Sequence, residues 1–205
     1  MTTEQRNNAT KTMLGLKLPT DPRWVNIAEK NIDEILIDHA YCEQKAASSC
    51  ISLIIQYPEK EKLREVLMPV VSEEWAHFRM VLKEMDKRQI ALGTPRKDEY
   101  VHRLYNSMQH GGTREQQLGE RLFLNALIEA RSCERFRLLS QEISDESLRE
   151  FYHELMISEA GHYVNFIDLA KEYLSSEYVK TRWAEWLEIE AQVINNLEIR
   201  GDRVH

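Results

Sequence analysis

The sequence predicts an all-α protein: a four-helix bundle with a crossover connection and an extra C-terminal helix. Three observations carry that expectation. Helix breakers are scarce, with 7 Gly and 5 Pro in 205 residues. Apolar residues recur at three- and four-residue spacing over stretches of about thirty. Two of those stretches contain a Glu-x-x-His unit, Glu74-Trp75-Ala76-His77 and Glu159-Ala160-Gly161-His162.

The elements follow in order. Leu18-Pro19-Thr20-Asp21-Pro22 is a rigid, extended entry. A first long helix runs from about Val25 to Gln56, with Ile32, Ile35, Leu36, His39, Glu43, Ala46, Ala47, Cys50 and Ile54 on its apolar face. Tyr57-Pro58-Glu59 breaks it. A second, from about Glu59 to Gln89, aligns Leu63, Leu67, Val70, Glu74, His77, Val81 and Met85. Gly93-Thr94-Pro95 ends that segment, and one short helix is expected near Asp98–Met108 before His110-Gly111-Gly112. A third long helix, about Thr113 to Gln141, carries Leu118, Leu122, Asn125, Glu129, Cys133 and Phe136 on one stripe. Ser144-Asp145-Glu146 caps a fourth that reaches about Leu174, and a fifth spans about Glu177–Ile199. The tail from Gly201 to His205 is expected to fray. The long link over residues 94–113 suits two helical hairpins joined by a crossover, as in ferritin-like bundles.

Composition narrows the classes. No linker divides the chain, so residues 1–205 read as a single domain, a four-helix core over about 25–174 and an added helix over about 177–199. A formal net charge of −7 excludes nucleic-acid binding by bulk positive charge, though not by a local basic face. Three cysteines, Cys42, Cys50 and Cys133, form no Cys-x-x-Cys pair and read as core thiols in a reducing compartment. No apolar run is long enough for a membrane span. The polar start, Met1 to Lys11, lacks a signal-peptide core, so the expected location is the cytoplasm.

The Glu-x-x-His units carry the chemistry. Residues three apart share a helix face, so each carboxylate and imidazole point the same way. Glu43 precedes Glu74 by 31 residues, and Glu129 precedes Glu159 by 30. In an antiparallel hairpin, residues equally far from the turn lie at one height. Glu43 and Glu74 each stand about fourteen residues from the 57–60 turn, or ~21 Å along each helix. Glu129 and Glu159 are similarly placed about Ile143–Asp145. The expected metal ligands are therefore Glu43, Glu74, His77, Glu129, Glu159 and His162. Glu134 stands ~7 Å too near its turn and off the stripe, and takes a supporting or surface role, with Arg131, Arg135 and Arg137 as available partners. Four carboxylates buried together repel unless cations neutralise them, and an oxygen-rich, two-imidazole set suits iron or manganese.

Other residues frame the ligands. Pro69, five residues before Glu74, removes a helix hydrogen bond and is a place for a kink or bulge. His39, a turn before Glu43, supports rather than binds. Asp38 and Asp168 are candidates for orienting the ligating imidazoles, while Glu73 reads as solvated surface. Lys83, Lys87, Arg88, Arg96, Lys97, Arg103 and Arg114 gather near the second helix end and the crossover, interrupted by Glu84, Asp86, Asp98 and Glu99. They read equally as a solvated face or as an edge that docks RNA.

Three segments go beyond a generic di-metal bundle. Residues 38–48 (Asp38-His39-Ala40-Tyr41-Cys42-Glu43-Gln44-Lys45-Ala46-Ala47-Ser48), 128–136 (Ile128-Glu129-Ala130-Arg131-Ser132-Cys133-Glu134-Arg135-Phe136) and 158–163 (Ser158-Glu159-Ala160-Gly161-His162-Tyr163) resemble the signature segments of the MiaE family, tRNA 2-methylthio-isopentenyl-adenosine hydroxylases. The resemblance runs from about Leu16 to Tyr173. It implies a ferritin-like fold, a non-haem centre of two Fe ions (Mn as an alternative) and O2-dependent hydroxylation of the isopentenyl group beside the tRNA anticodon. The same six residues fall on the family's ligand positions. Gly161 departs from it, standing where a bulkier, often basic residue is expected. The implied partners are tRNA, O2 and an external ferredoxin- or reductase-like electron donor, since no flavin or nicotinamide motif appears in the chain.

Rival readings share the ligand set: a rubrerythrin-like peroxidase, a manganese catalase or a ferritin-like iron-storage subunit. A metal-free helical interaction module is a further alternative.

Overall fold

A computed structural model describes residues 13–205, so the polar start, Met1 to Lys11, lies outside the described residues. Seven helices form among them: α1 Arg23–Glu29, α2 Ile32–Gln56, α3 Glu61–Lys87, α4 Glu99–Asn106, α5 Arg114–Glu142, α6 Glu146–Tyr173 and α7 Ser176–Asn195. Contacts divide the chain into two compact units. One holds residues 13–29, Asp98–Arg200 and His205; the other holds Lys30–Lys97 and Gly201–Val204.

The smaller unit is one helical hairpin. α2 and α3 pack along each other across the short Tyr57–Lys60 turn, burying Ile35, Leu36, Ala47, Cys50 and Leu53 of α2 and Leu63, Leu67, Val70, Val81 and Met85 of α3. α3 runs unbroken through Pro69. Beyond α3 the chain turns through Gly93 (φ +65°), whose carbonyl accepts from the Tyr41 hydroxyl at 2.8 Å.

The larger unit is built on α5 and α6, an antiparallel pair with α1, α4 and α7 added. Local sequence sets each helix start. Gly111 and Gly112 take positive φ, and Thr113 and Gln116 then form a reciprocal capping box at the head of α5. Asp145 accepts from Leu148 N at 3.0 Å and caps α6, Asp98 does the same for Val101 at α4, and Ser175 caps α7. α5 is buried almost all round, and three of its buried charges, Glu120, Arg131 and Glu134, are paired inside the unit. Arg182 of α7 grips both oxygens of Glu120 at 2.7 Å. Arg131 meets Glu190 of α7 at 2.6 Å and its own neighbour Glu134. Gly119 lets Leu174 pack close, since a Cβ there would stand 2.4 Å from Leu174 Cδ1 and that side chain would have to shift.

Two expectations are corrected. The helix read as continuous from Val25 is interrupted at residues 30–31. Trp24, Val25 and Ala28 of α1 are buried, α1 packs on α5, and the Arg135 guanidinium lies 4.8 Å from the Trp24 ring centroid. Tertiary packing thus overrides a locally unbroken helical pattern. The tail does not fray: Gly201, Val204 and His205 are buried. The Val204 N–H donates to Asp38 at 2.8 Å. In the larger unit, the His205 ring stacks on Tyr100, with Nε2 2.8 Å from Ser132 Oγ and Nδ1 3.2 Å from Asp98.

Candidate metal centre

Each unit carries one complete Glu plus Glu-x-x-His set. In the smaller unit α2 supplies Glu43 and α3 supplies Glu74 and His77, all buried. One donor atom from each lies within 4.8 Å of the other two. His77 Nδ1 stands 3.4 Å from Glu43 Oε2 and 3.7 Å from Glu74 Oε2. In the larger unit α5 supplies Glu129 and α6 supplies Glu159 and His162, again buried and again with donor atoms within 4.8 Å. His162 Nδ1 stands 3.6 Å from Glu159 Oε2. The same nitrogen of each imidazole therefore faces the carboxylate three residues before it.

The helical hairpin explains both sets. A turn of four residues in one hairpin and three in the other fixes the register, and helical periodicity brings a Glu thirty or thirty-one positions upstream to the height of the Glu-x-x-His unit. Burial makes the arrangement costly without a cation, because desolvation and mutual repulsion both oppose ionised carboxylates.

The donor chemistry fits iron or manganese. Carboxylate oxygens and imidazole nitrogens are the right ligands for those ions, and no thiolate competes. Burial, then the nearby Glu74, pushes the Cys50 thiol up to about 12; burial, then Glu159, does the same for Cys133. Both stay protonated at neutral pH. The Cys133 thiol donates to the Met156 carbonyl at 3.3 Å.

The supporting residues sort out differently. His39 Nε2 is 2.6 Å from Glu43 Oε1, the supporting position its spacing suggests. Glu134 is wholly buried and accepts from Arg131 and from the Thr20 hydroxyl at 2.6 Å, so its carboxylate is engaged by those two side chains. Asp38 holds the Val204 amide and lies 3.7 Å from Arg203. Asp168 is exposed and pairs with Lys171, so it orients no imidazole. Glu73 is exposed, as read. Sequence reasoning missed the buried Arg131–Glu190–Tyr100 group; an Arg and a Glu 59 positions apart leave no local signal.

The chain matches the family model described as tRNA-(MS[2]IO[6]A)-hydroxylase (MiaE) over residues 8–205. It belongs to the MiaE family. A family relative from Pseudomonas putida, named tRNA 2-(methylsulfanyl)-N(6)-isopentenyladenosine(37) hydroxylase, is 37% identical over 158 residues, covering 77% of this chain and 76% of that one. A Salmonella typhimurium protein of the same name is 28% identical over 229 residues, covering 87% and 83%. Among solved structures, a Synechococcus protein described as having aldehyde deformylating oxygenase activity superposes with a TM-score of 0.87. It shares 32% identity and covers 93% of this chain and 94% of its own. The all-α, ferritin-like class expected from the crossover stands. Among the described residues, no helix is long and apolar enough to cross a membrane.

Proposed function

We propose that this chain is the MiaE-type monooxygenase that hydroxylates the isopentenyl group of 2-methylthio-isopentenyl-adenosine in tRNA, next to the anticodon. The observation that carries the reading is a buried Glu plus Glu-x-x-His set in each hairpin of a chain that the tRNA-hydroxylase family matches over residues 8–205. Glu43, Glu74 and His77 supply three donors, and Glu129, Glu159 and His162 three more, to a centre of two irons.

When bound, the iron pair supplies reductive activation of O2, so that one oxygen atom enters a C–H bond and the other leaves as water with two electrons and two protons. The remaining tasks fall to side chains. His39 holds one oxygen of Glu43 and leaves the other toward His77. Burial of all six donors keeps bulk water from the ligand shell. The electrons come from a separate ferredoxin- or reductase-like donor, and the expected location is the cytoplasm.

A test compares tRNA nucleosides by mass spectrometry from cells with and without the protein, then adds iron-loaded protein, a reductant and O2 to hypomodified tRNA. Hydroxylated nucleoside that appears only with the protein, and is lost in Glu74→Ala and Glu159→Ala, is the expected result. Unchanged nucleosides would refute the tRNA reading. The Synechococcus likeness favours one second reading, oxygenation of an aldehyde. Turnover of an aldehyde with no action on tRNA would select it.

A further inference from the structure

The structure separates the basic residues near the end of α3 into two groups. Lys87 and Arg88 both bind Glu84, Arg96 binds Glu34, and Arg103 binds Glu99 at 3.1 Å. Those cations are spent on their own neighbours. Arg79 and Lys83 are exposed, and among the described residues neither forms an ion pair or hydrogen bond. They stand one turn apart on α3, and one turn before Arg79 comes Trp75.

Trp75 is large, apolar and 48% exposed, yet lies between Glu74 and His77 in sequence. Its ring centroid is 5.1 Å from that of Phe78, which is 8% exposed. At about 100° per residue, Phe78 sits between the Glu74 direction and Trp75, and Arg79 lies just beyond Trp75. The flank of α3 thus steps from buried carboxylate to shielded phenyl, to half-exposed indole, to free cation. Met68, 57% exposed, lies two turns before Trp75 on the same face. Asp86 ends the cationic stretch.

We propose that this face of α3 docks the single-stranded anticodon loop, with the target purine stacked on Trp75 and loop phosphates on Arg79 and Lys83. The proposal rests on the tRNA reading above. Each part has a matching chemistry. An indole offers a π-face to an unstacked base, as single-stranded RNA recognition requires. Two unpaired cations meet a polyanion in a chain whose net charge of −7 otherwise repels it. The Phe78 edge gives the apolar isopentenyl group a surface on the side nearest the ligand turn.

The test uses the iron-loaded full chain and an anticodon stem-loop bearing the isopentenylated adenosine. Binding is read by fluorescence anisotropy across a salt series, alongside KM and kcat for tRNA and iron per chain. Trp75→Ala is expected to weaken binding and raise KM by about tenfold or more, with Trp75→Phe restoring most of it. Arg79→Gln and Lys83→Gln each weaken binding to any loop sequence and lower the salt slope by ~1. Iron content stays at the wild-type value in all four. Wild-type turnover with unchanged KM and binding in the variants would overturn the docking face while leaving the tRNA reading intact. Intact RNA binding with slowed reduction by the electron donor would also overturn it, assigning the face to that protein. Failure of the wild-type protein to act on any tRNA would instead defeat the reading beneath.

Discussion

His39 Nε2 and Glu43 Oε1 are 2.6 Å apart on successive turns of α2, both buried. The corresponding position before Glu129, one turn earlier on α5, is Asn125. An imidazole therefore backs one hairpin's upstream glutamate where an amide stands in the other, and the two ligand sets are chemically unlike.

Removing that support is expected to loosen metal. His39→Ala should weaken Fe2+ binding by about ten- to a hundredfold, the usual effect of losing a hydrogen-bonded neighbour of a ligand. Competition with a calibrated chelator measures it. Equal affinities in wild type and variant would show that Glu43 needs no such partner.

Arg131 is wholly buried between Glu134 and Glu190, and also reaches the Leu18 carbonyl at 3.1 Å. Arg131→Met leaves two carboxylates without their cation and should cost about 3–5 kcal/mol. Combining it with Glu134→Leu and Glu190→Leu should return most of that stability. Thermal unfolding followed by circular dichroism decides; a Tm within a degree of wild type for the single variant would remove Arg131 from the core's support.

Alkaline stability has a named source. Burial, then the nearby Glu190 carboxylate, holds the Tyr100 phenol well above its ordinary value of 10.0. The unfolded chain releases that proton near pH 10 and the folded chain keeps it. The phenol's contribution is therefore complete below pH 10 and is lost as pH rises toward the folded value. Tm should drop above pH 10, and Tyr100→Phe should flatten that drop. Parallel curves for the two proteins would place the alkaline loss elsewhere.

The cysteines should divide under alkylation. Cys42 is half-buried, whereas Cys50 and Cys133 are buried with thiols pushed up to about 12. At pH 8 the native protein should take one label quickly and three once unfolded. Mass spectrometry of labelled peptides reads this, and early labelling of Cys133 would contradict its burial.

Much of this molecule was legible in its sequence because a hairpin converts spacing into position. The α2–α3 and α5–α6 turns, the Asp98, Thr113 and Asp145 starts, and the reason for setting Glu134 aside all follow from periodicity and capping. What stayed hidden depends on partners distant in the chain. The interruption at residues 30–31 carries no Gly or Pro; it reflects how Trp24 packs in α1. The tail looked polar and loose, yet Val204 and His205 are held by Asp38 and Ser132, at positions 166 and 73 residues away. The basic residues read as one group until their acidic neighbours sorted them. Arg79, outside that group by sequence, emerged only once exposure was known.

A hairpin that holds a Glu and, about thirty residues on, a Glu-x-x-His is also a repeatable unit. One tandem copying of such a segment doubles three donors to six without inventing any of them. The supporting position differs between the two hairpins, His39 in one and Asn125 in the other. A single side chain thus tells two otherwise like hairpins apart.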